Sequence, residues 1–522
     1  MERSMNRRNL LKSGLACGTA LLLPKTVFAN PLIGRDAQRP ATPSGLQTGD
    51  VLHDRAMVWC RSDRTARLWL EWDTDGSFRQ PQKIRGPWAL PENDYITRLD
   101  LRGLPADQQI HLRLSYRDAD LNHLISEPLL GQFRTPSLQT RSIRFVWSGD
   151  TAGQGYGINP DWGGMRIYEI MRQQQPDFFV HSGDTIYADS PIEETVTPGE
   201  GGVWKNIVTP EVSKVAETLH EYRGRYRYNM MDDNVRRFNA EVPQIWQWDD
   251  HEVTNNWSDS KQLDDRYQVK SVELLQARAT RAFLDYAPMR HFDDRESERV
   301  YRYLPCGPLL DRFVVDMRSY RGPNSTNLQT TLDDDSAFMG KQQIAWLLAG
   351  LKASTATWKA VFADMPIGLQ VPDGKTAEGV ARWEAIANGD NGAPKGRELE
   401  MALLLKAIKD AGIKNVVWFT ADVHYTAAHH YQPDKATFQD FDPFWEFVSG
   451  PLNSGSFGPN APDNTFGLQV VYQKAPEKQN TSPLAGYQFF GQVDIDADDR
   501  SMTVRLKDVA GATLFTQQLQ PA

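Results

Sequence analysis

Four short apolar runs in this chain each end on an aspartate, and that recurrence restricts the fold more than any other feature. Phe145-Val146-Trp147 leads into Ser148-Gly149-Asp150. Phe178-Phe179-Val180 leads into His181-Ser182-Gly183-Asp184-Thr185-Ile186-Tyr187. Ile245-Trp246-Gln247-Trp248 leads into Asp249-Asp250-His251-Glu252, and Val416-Val417-Trp418-Phe419 into Thr420-Ala421-Asp422-Val423-His424. Short runs rich in Val, Phe and Trp read as buried strands, and Phe313-Val314-Val315 and Ala360-Val361-Phe362 have the same character. Between several of them, residues 164–175, 217–231, 271–286, 340–353 and 397–411 read as helices. Buried strands alternating with amphipathic helices predict a layered α/β domain. In such a domain ligands bind outside the carboxyl ends of the strands, which is where these aspartates fall.

The region before residue 139 has another rhythm. Ala56-Met57-Val58-Trp59-Cys60, Ala66-Arg67-Leu68-Trp69-Leu70-Glu71-Trp72 and Ile110-His111-Leu112-Arg113-Leu114-Ser115-Tyr116 largely alternate apolar and polar residues. That is the pattern of half-buried strands, and their spacing predicts a small immunoglobulin- or fibronectin-like β-sandwich over 45–138. It carries no catalytic set and reads as a scaffold or docking module. The α/β domain is expected over 139–522, with 488–495 and 501–507 returning to alternation and adding strands at an edge.

The opening, Asn6-Arg7-Arg8-Asn9-Leu10-Leu11-Lys12 with an apolar stretch to Leu23 and then Val27-Phe28-Ala29, has the layout of a twin-arginine export signal over 1–29. Its apolar part falls short of the roughly 20 residues a membrane span needs. A Pro/Ala/Arg-rich linker over 30–44 follows, and the expected location is periplasmic or secreted. Net charge is −9, which gives no general attraction to nucleic acid or anionic lipid. An anionic substrate would therefore need local positive charge, for which bound metal is the natural source. Of the three cysteines, Cys17 lies in the signal. Cys60 and Cys306 are expected to be small buried hydrophobes, since two cysteines make no disulfide framework.

Each motif alone has an ordinary structural explanation. Gly-Asp after a strand is a common turn, Asp-Asp-His-Glu can cap a helix, and His424 can be a core histidine. Repetition at four strand ends favours a common site. Aspartates can bridge two cations, histidine adds a nitrogen ligand, and a tyrosine phenolate is a hard oxygen donor suited to Fe³⁺. Asp, Asn and main-chain oxygens suit Ca²⁺ or Mg²⁺. Two such cations clamp a phosphoryl group and lower the pKa of a bound water.

These residues resemble the metallophosphoesterase superfamily, and within it the PhoD-like alkaline phosphatases. The segments that carry the resemblance are Gly183-Asp184-Thr185-Ile186-Tyr187, Trp248-Asp249-Asp250-His251-Glu252 with Asn255-Asn256, Ala421-Asp422-Val423-His424, and Val315-Asp316-Met317-Arg318-Ser319-Tyr320-Arg321. The resemblance implies a four-layer αββα core. It implies that Asp184 bridges two metals, that Asp150, Tyr187 and His424 complete an Fe³⁺ site, and that Asp422 with Asp250 or Asn255 holds Ca²⁺. His251 would be the general acid, and the hydroxide formed at the metals would attack phosphorus. Arg318 reads two ways, as a contact to substrate phosphate or as a buried ion pair in Asp316-x-Arg318.

Three departures from the superfamily pattern stand out. Asp150 is followed by Thr151-Ala152, so the histidine of an Asp-x-His opening is missing. No cysteine lies near Asp150 to bind iron, as one does in some PhoD proteins. The usual Gly-His-x-His ending reads Ala421-Asp422-Val423-His424, which hardens the second site toward Ca²⁺. The implied partners are small phosphate esters and the twin-arginine export machinery. The run Asp150-Thr151-Ala152-Gly153-Gln154-Gly155 is similar to a subgroup with phospholipase D-type phosphodiesterases, so monoesters and diesters both stand as substrates. A non-catalytic calcium-dependent surface-binding protein is the alternative from another class.

Overall fold

The computed structural model describes residues 38–121, 123–197, 202–291 and 296–522. The export signal expected over 1–29 lies outside the described residues. Every apolar run named above is a strand. Ile143–Ser148, Phe178–Ser182 and Gln244–Gln247 lie side by side and parallel. Leu310–Val314, Trp358–Phe362, Val416–Thr420 and Phe444–Val448 form a second parallel set. Within each set the carboxyl ends point the same way, so the loops that follow share one edge of their sheet.

The first set is the middle of a nine-stranded sheet. On one side Phe489–Ile495, Met502–Asp508 and Thr513–Leu519 extend it antiparallel. On the other, Leu46–Leu52 pairs parallel with Gln244–Gln247, and Arg55–Arg61 and Ile96–Arg102 follow. The second set belongs to a seven-stranded sheet with Arg302–Cys306, Thr426–Tyr431 and Leu468–Lys474. A four-stranded sheet of Ala66–Asp73, Gln82–Ala89, Gln109–Asp118 and Leu129–Arg134 completes the larger elements.

The two large sheets meet face to face through alternate residues of their strands. Phe145, Trp147, Phe178, Val180 and Ile245 of one pack on Val314, Phe362, Phe419 and Phe447 of the other. Phe145 meets the Phe419 ring edge-on at 5.4 Å, and Trp147 meets it at 4.8 Å. The intervening residues face outward onto helices. Val146 and Phe179 pack against α1 (Arg166–Gln173) through Ile167, Tyr168 and Met171. Two further helices follow in the chain, α2 (Leu219–Asn229) and α3 (Asp233–Glu241), and α3 adds Val235 and Phe238 to this layer. α4 (Val272–Tyr286) joins α2 around Trp59, Trp246 and Trp248. Phe313, Val361 and Trp418 pack on α5 (Lys341–Ala353) and α6 (Glu398–Asp410) through Ile344, Leu347, Leu351, Met401, Leu404 and Leu405. Complete burial of one Leu, Val or Phe stabilises by about 1.5–3 kcal/mol, so the apolar layers hold the strand ends firmly.

Near the N-terminus, Leu46, Val58, Cys60 and Leu101 face Leu68, Leu70, Ile110, Leu112, Leu114 and Phe133 of the four-stranded sheet. Burial along Gln109–Asp118 alternates residue by residue, as the sequence pattern requires. Arg67, Arg113 and Arg117 on the outer face lie over the Trp88, Phe78 and Trp69 rings. Because Leu46–Leu52 pairs with Gln244–Gln247, one sheet of this layered pair is continuous with the central sheet. The sequence rhythm did not reveal that sharing, since hydrogen bonding between distant strands leaves no local pattern. Cys60 and Cys306 are both buried and unpaired.

Candidate metal centre

Each strand of the parallel pairs hands its chain to a tight loop at the shared edge. There Asp150, Asp184, Asp422 and His424 all adopt left-handed backbone, with φ of 67°, 53°, 64° and 58°. That conformation costs a non-glycine residue roughly 1–2 kcal/mol and persists only where the surroundings impose it. The surroundings do so through a backbone weave. Thr151 N donates to Asp184 O at 2.9 Å, Leu452 N to Gly149 O at 2.9 Å, and Ala421 N to Asp364 O at 2.8 Å. Gly183 is required by closeness, because a Cβ there would stand 2.4 Å from the Asp249 Cβ. Glu252 ties two loops together. Its carboxylate accepts from Asp184 N at 3.1 Å, Asp249 N at 2.8 Å and Thr185 N at 2.6 Å.

The side chains converge in three overlapping groups whose donor atoms lie within 4.8 Å of one another: Asp150, Asp184 and His424; Asp184, Asp250 and His251; Asp249, Asp250 and Asp422. Asp184 links the first two groups, and Asp250 links the last two. Tyr187 closes on the first, its hydroxyl 2.9 Å from His424 Nε2. His424 Nδ1 lies 2.5 Å from the Gly455 carbonyl, which can only accept, so Nδ1 carries the proton and Nε2 presents its lone pair. Burial lowers this imidazole to about 4, so it is neutral, the form that binds metal.

The acids are poorly satisfied by protein groups. Both oxygens of Asp150, Oδ1 of Asp250 and Oδ2 of Asp422 are buried without a hydrogen-bond partner. Burial, reinforced by neighbouring carboxylates, pushes Asp150, Asp184 and Asp422 well above the ordinary carboxylate range. Unpartnered buried carboxylate oxygens are costly, and here they point at one another beside a neutral imidazole and a phenol. This donor set fits hard cations.

Arg318 stands behind Asp250 and Asp422 with a fully buried guanidinium. It pairs with Asp249 and Glu384 and, through Nε, with Asp364 Oδ2 at 3.1 Å. Of its two readings, this geometry is that of the buried ion pair. The partners are not Asp316, whose carboxylate instead accepts from the Arg318 and Ser319 backbone N–H groups at 2.9 Å.

His251 faces the opening. Its Nδ1 lies 2.6 Å from Asp189 Oδ1, its ring centroid lies 4.3 Å from that of Tyr187 at a tilt of 36°, and its Nε2 is 4.0 Å from Asp250 Oδ2. Burial alone would lower the imidazole, but Asp189, Asp250 and Asp184 outweigh it and hold His251 well above its usual range. Asp189 sits at about 2, because His251 overcomes the burial that opposes its charge. Asn255 is exposed at the rim, and its backbone N–H donates to Asp189 Oδ2 at 3.1 Å. Asp250, His251, Asn255, Asp422 and His424 line an open cavity of about 390 Å³, with Phe457 and Pro459 on its wall.

Sequence reasoning passed over Asp189, Asp249, Glu252, Asp364 and Glu384. Asp364 follows Trp358–Phe362 and obeys the same strand-then-carboxylate rule as the others. Asp189 lies two residues past Tyr187, within the same loop. Glu384 carries no local signal; only the fold brings it to Arg318.

Residues 145–506 match the model of the PhoD-like phosphatases, and residues 28–137 that of the PhoD-like phosphatase N-terminal domain. Alkaline phosphatase D of Bacillus subtilis (strain 168) is 25% identical over 467 residues, covering 85% of this chain and 74% of that protein. Among solved structures, that of PhoD superposes with a TM-score of 0.68 at 20% identity over 93% of each chain. Purple acid phosphatase PPD1 from yellow lupin (Lupinus luteus) seeds superposes with a TM-score of 0.58 at 12% identity, over 92% of this chain and 74% of that one. The match of both family models, spread over nearly the whole described chain, makes this protein a member of the PhoD-like phosphatase family.

Proposed function

We propose that this protein is an exported, metal-dependent phosphoesterase of the alkaline phosphatase D type, with small phosphate monoesters as its substrates. The observation that carries the reading is the set of buried, unpartnered carboxylate oxygens of Asp150, Asp250 and Asp422, gathered beside His424 and Tyr187 below an open cavity. Asp184, common to two donor groups, is the residue that both cations would share. Asp150, Tyr187 and His424 would hold Fe³⁺, for which a phenol oxygen and one imidazole are apt donors. Asp422 with Asp250 or Asn255 would hold Ca²⁺ in an oxygen-only site; the donor groups favour Asp250. When bound, these cations supply positive charge for the phosphoryl oxygens and acidify a water.

The chain's own residues do the rest. Asp189 accepts from His251 Nδ1 and keeps the imidazole protonated, so that Nε2 donates its proton to the departing alkoxide. The tilted contact with the Tyr187 ring helps to hold the imidazole in place. Arg318 holds Asp249, Asp364 and Glu384 in place from behind. We assign the two large sheets with their outer helices to a four-layer αββα metallophosphoesterase core over 139–522, and 45–138 to an Ig-like sandwich. Residues 1–29 are assigned as a twin-arginine signal and 30–44 as a linker, giving a periplasmic or secreted product.

The test is turnover of a chromogenic phosphate monoester against the matching diester, with added Ca²⁺, by mature protein purified after export. The expected result is a monoester preference. A diester preference would move the protein to the phospholipase D-type reading. Absence of turnover on both at full metal occupancy refutes the enzyme and leaves a calcium-dependent binding protein.

A further inference from the structure

A second cavity, of about 360 Å³, opens on the other side of His251. It shares Gln154, His251 and Asn255 with the cavity over the carboxylates, so the two are lobes of one cleft joined at His251. The order of groups along the cleft is therefore fixed: acids first, the His251 imidazole at the junction, the second lobe beyond. With a phosphoryl group over the acids and its leaving oxygen toward His251, the departing alcohol lies in the second lobe. This step rests on the phosphoesterase reading above.

The charges of that lobe are unequal in their satisfaction. Asp189 is paired with His251 Nδ1 at 2.6 Å. Arg266 is spent on Asp264, with Nη2 2.8 Å from Oδ2 and Nε 3.0 Å from Oδ1. Lys261 also lines the lobe and is half-buried, yet its ammonium has no hydrogen bond or ion pair among the described residues. One positive charge is left over beside the place of the leaving alcohol. Gln154 adds a buried Oε1 without a donor, which suits a hydroxyl.

The geometry points to Lys261 as a specificity-determining residue that binds an anionic substituent on the leaving alcohol. The substrate class is thus phosphate esters of small hydroxy acids or similarly anionic alcohols. Alcohols bearing a quaternary ammonium group are disfavoured by the same charge. An ammonium acts as a point charge on a flexible stem, so it needs no fixed ligand geometry.

The experiment compares kcat/KM for 3-phosphoglycerate with that for phosphocholine, by phosphate release from the metal-replete enzyme. Both are esters of primary alcohols, and they differ in the sign of the distal charge. The wild-type ratio is expected to exceed one. Lys261→Ala lowers it about fivefold and Lys261→Glu about twentyfold, while Lys261→Arg retains it. The differences shrink in about 0.5 M salt. A purely structural lysine would depress both substrates together and leave the ratio unmoved; a ratio within about twofold of wild type in both Lys261→Ala and Lys261→Glu overturns the proposal. Turnover of 4-nitrophenyl phosphate by the wild type reports the phosphoesterase reading by itself. Its absence would overturn that reading and this assignment with it.

Discussion

Replacing Arg318 by methionine removes the cation from a closed cage of acids while nearly preserving length. The guanidinium touches Asp249, Asp364 and Glu384, all with side chains at most 2% exposed, so water cannot take its place without rearrangement. Two effects compete. The methionine side chain escapes the large desolvation cost of a buried charge, which favours the variant. Asp249 and Asp364 lose their partner while Glu384 keeps Arg321 at 4.0 Å, and removing one member of a buried ion pair typically costs about 3–5 kcal/mol. The second effect wins here because no other described cation touches Asp249 or Asp364. With an m-value of about 4 kcal/mol/M for a unit of this size, the urea midpoint of metal-free Arg318→Met falls by about 1 M. Arg318→Lys keeps the charge but cannot reach three acids at once, and lands between the two. Adding Asp364→Asn to Arg318→Met deletes one orphaned charge and recovers part of the loss. A midpoint within about 0.2 M of wild type for Arg318→Met would refute the reasoning, because the cage would then be satisfied without its cation.

Two further outcomes concern proton placement. His251→Asn is expected to lower kcat by about 100-fold or more with bound metal retained, measured by steady-state kinetics beside elemental analysis. Asp189→Asn removes the charge that holds the His251 proton, so the alkaline limb of the pH–rate profile moves to lower pH; an unmoved limb would detach Asp189 from the mechanism. Away from the centre, burial and then Asp463 raise Glu398 to about 8. A carboxyl raised above its unfolded value binds more protons in the folded state, so its contribution to stability declines as pH rises between the two values. The gap between Glu398→Gln and wild type in urea melts should therefore widen from about pH 5 to about pH 8, by up to about 1.4 kcal/mol per unit, and then level off. A gap independent of pH counts against it.

Six strands of the parallel sets were legible because each carries a short apolar run, a pattern that needs no partner to be read; Phe444–Val448 was not, because Glu446 interrupts it. The helices were legible from their periodicity, 217–231 matching α2 to within two residues at either end, with one exception. α3 begins after Asp232, whose side chain accepts from Asn234 N and Val235 N, and no helix was expected there. That cap was visible as Asp232-Asp233, but α3 is short and its polar residues Arg236 and Arg237 dilute its face. The site was legible where side chains follow strands in order, as Asp150, Asp184, Asp250 and Asp422 do. It was not legible where a residue serves through a distant partner. Glu384 reaches Arg318 across 66 residues, and Glu446 accepts from Ile367 N and from the Tyr431 hydroxyl inside the seven-stranded sheet. Such pairings are set by topology alone.

The same strand ends explain why the centre is both precise and costly. Its aspartates sit in left-handed backbone, keep unpartnered oxygens and repel one another, and each of these raises the free energy of the metal-free fold. What opposes them is the wall directly beneath: Phe145, Trp147, Phe178, Val180 and Phe419, fully or almost fully buried three to six residues before the aspartates. A loop anchored that closely to packed aromatic residues cannot relax by moving, so the strain stays in the site rather than dispersing. Cations that bind the folded centre and not the unfolded chain add stability in proportion to the logarithm of their concentration over Kd. The arrangement that makes the acids poor neighbours without metal is thus the one that makes them strong ligands with it, because nothing must be dismantled before they bind.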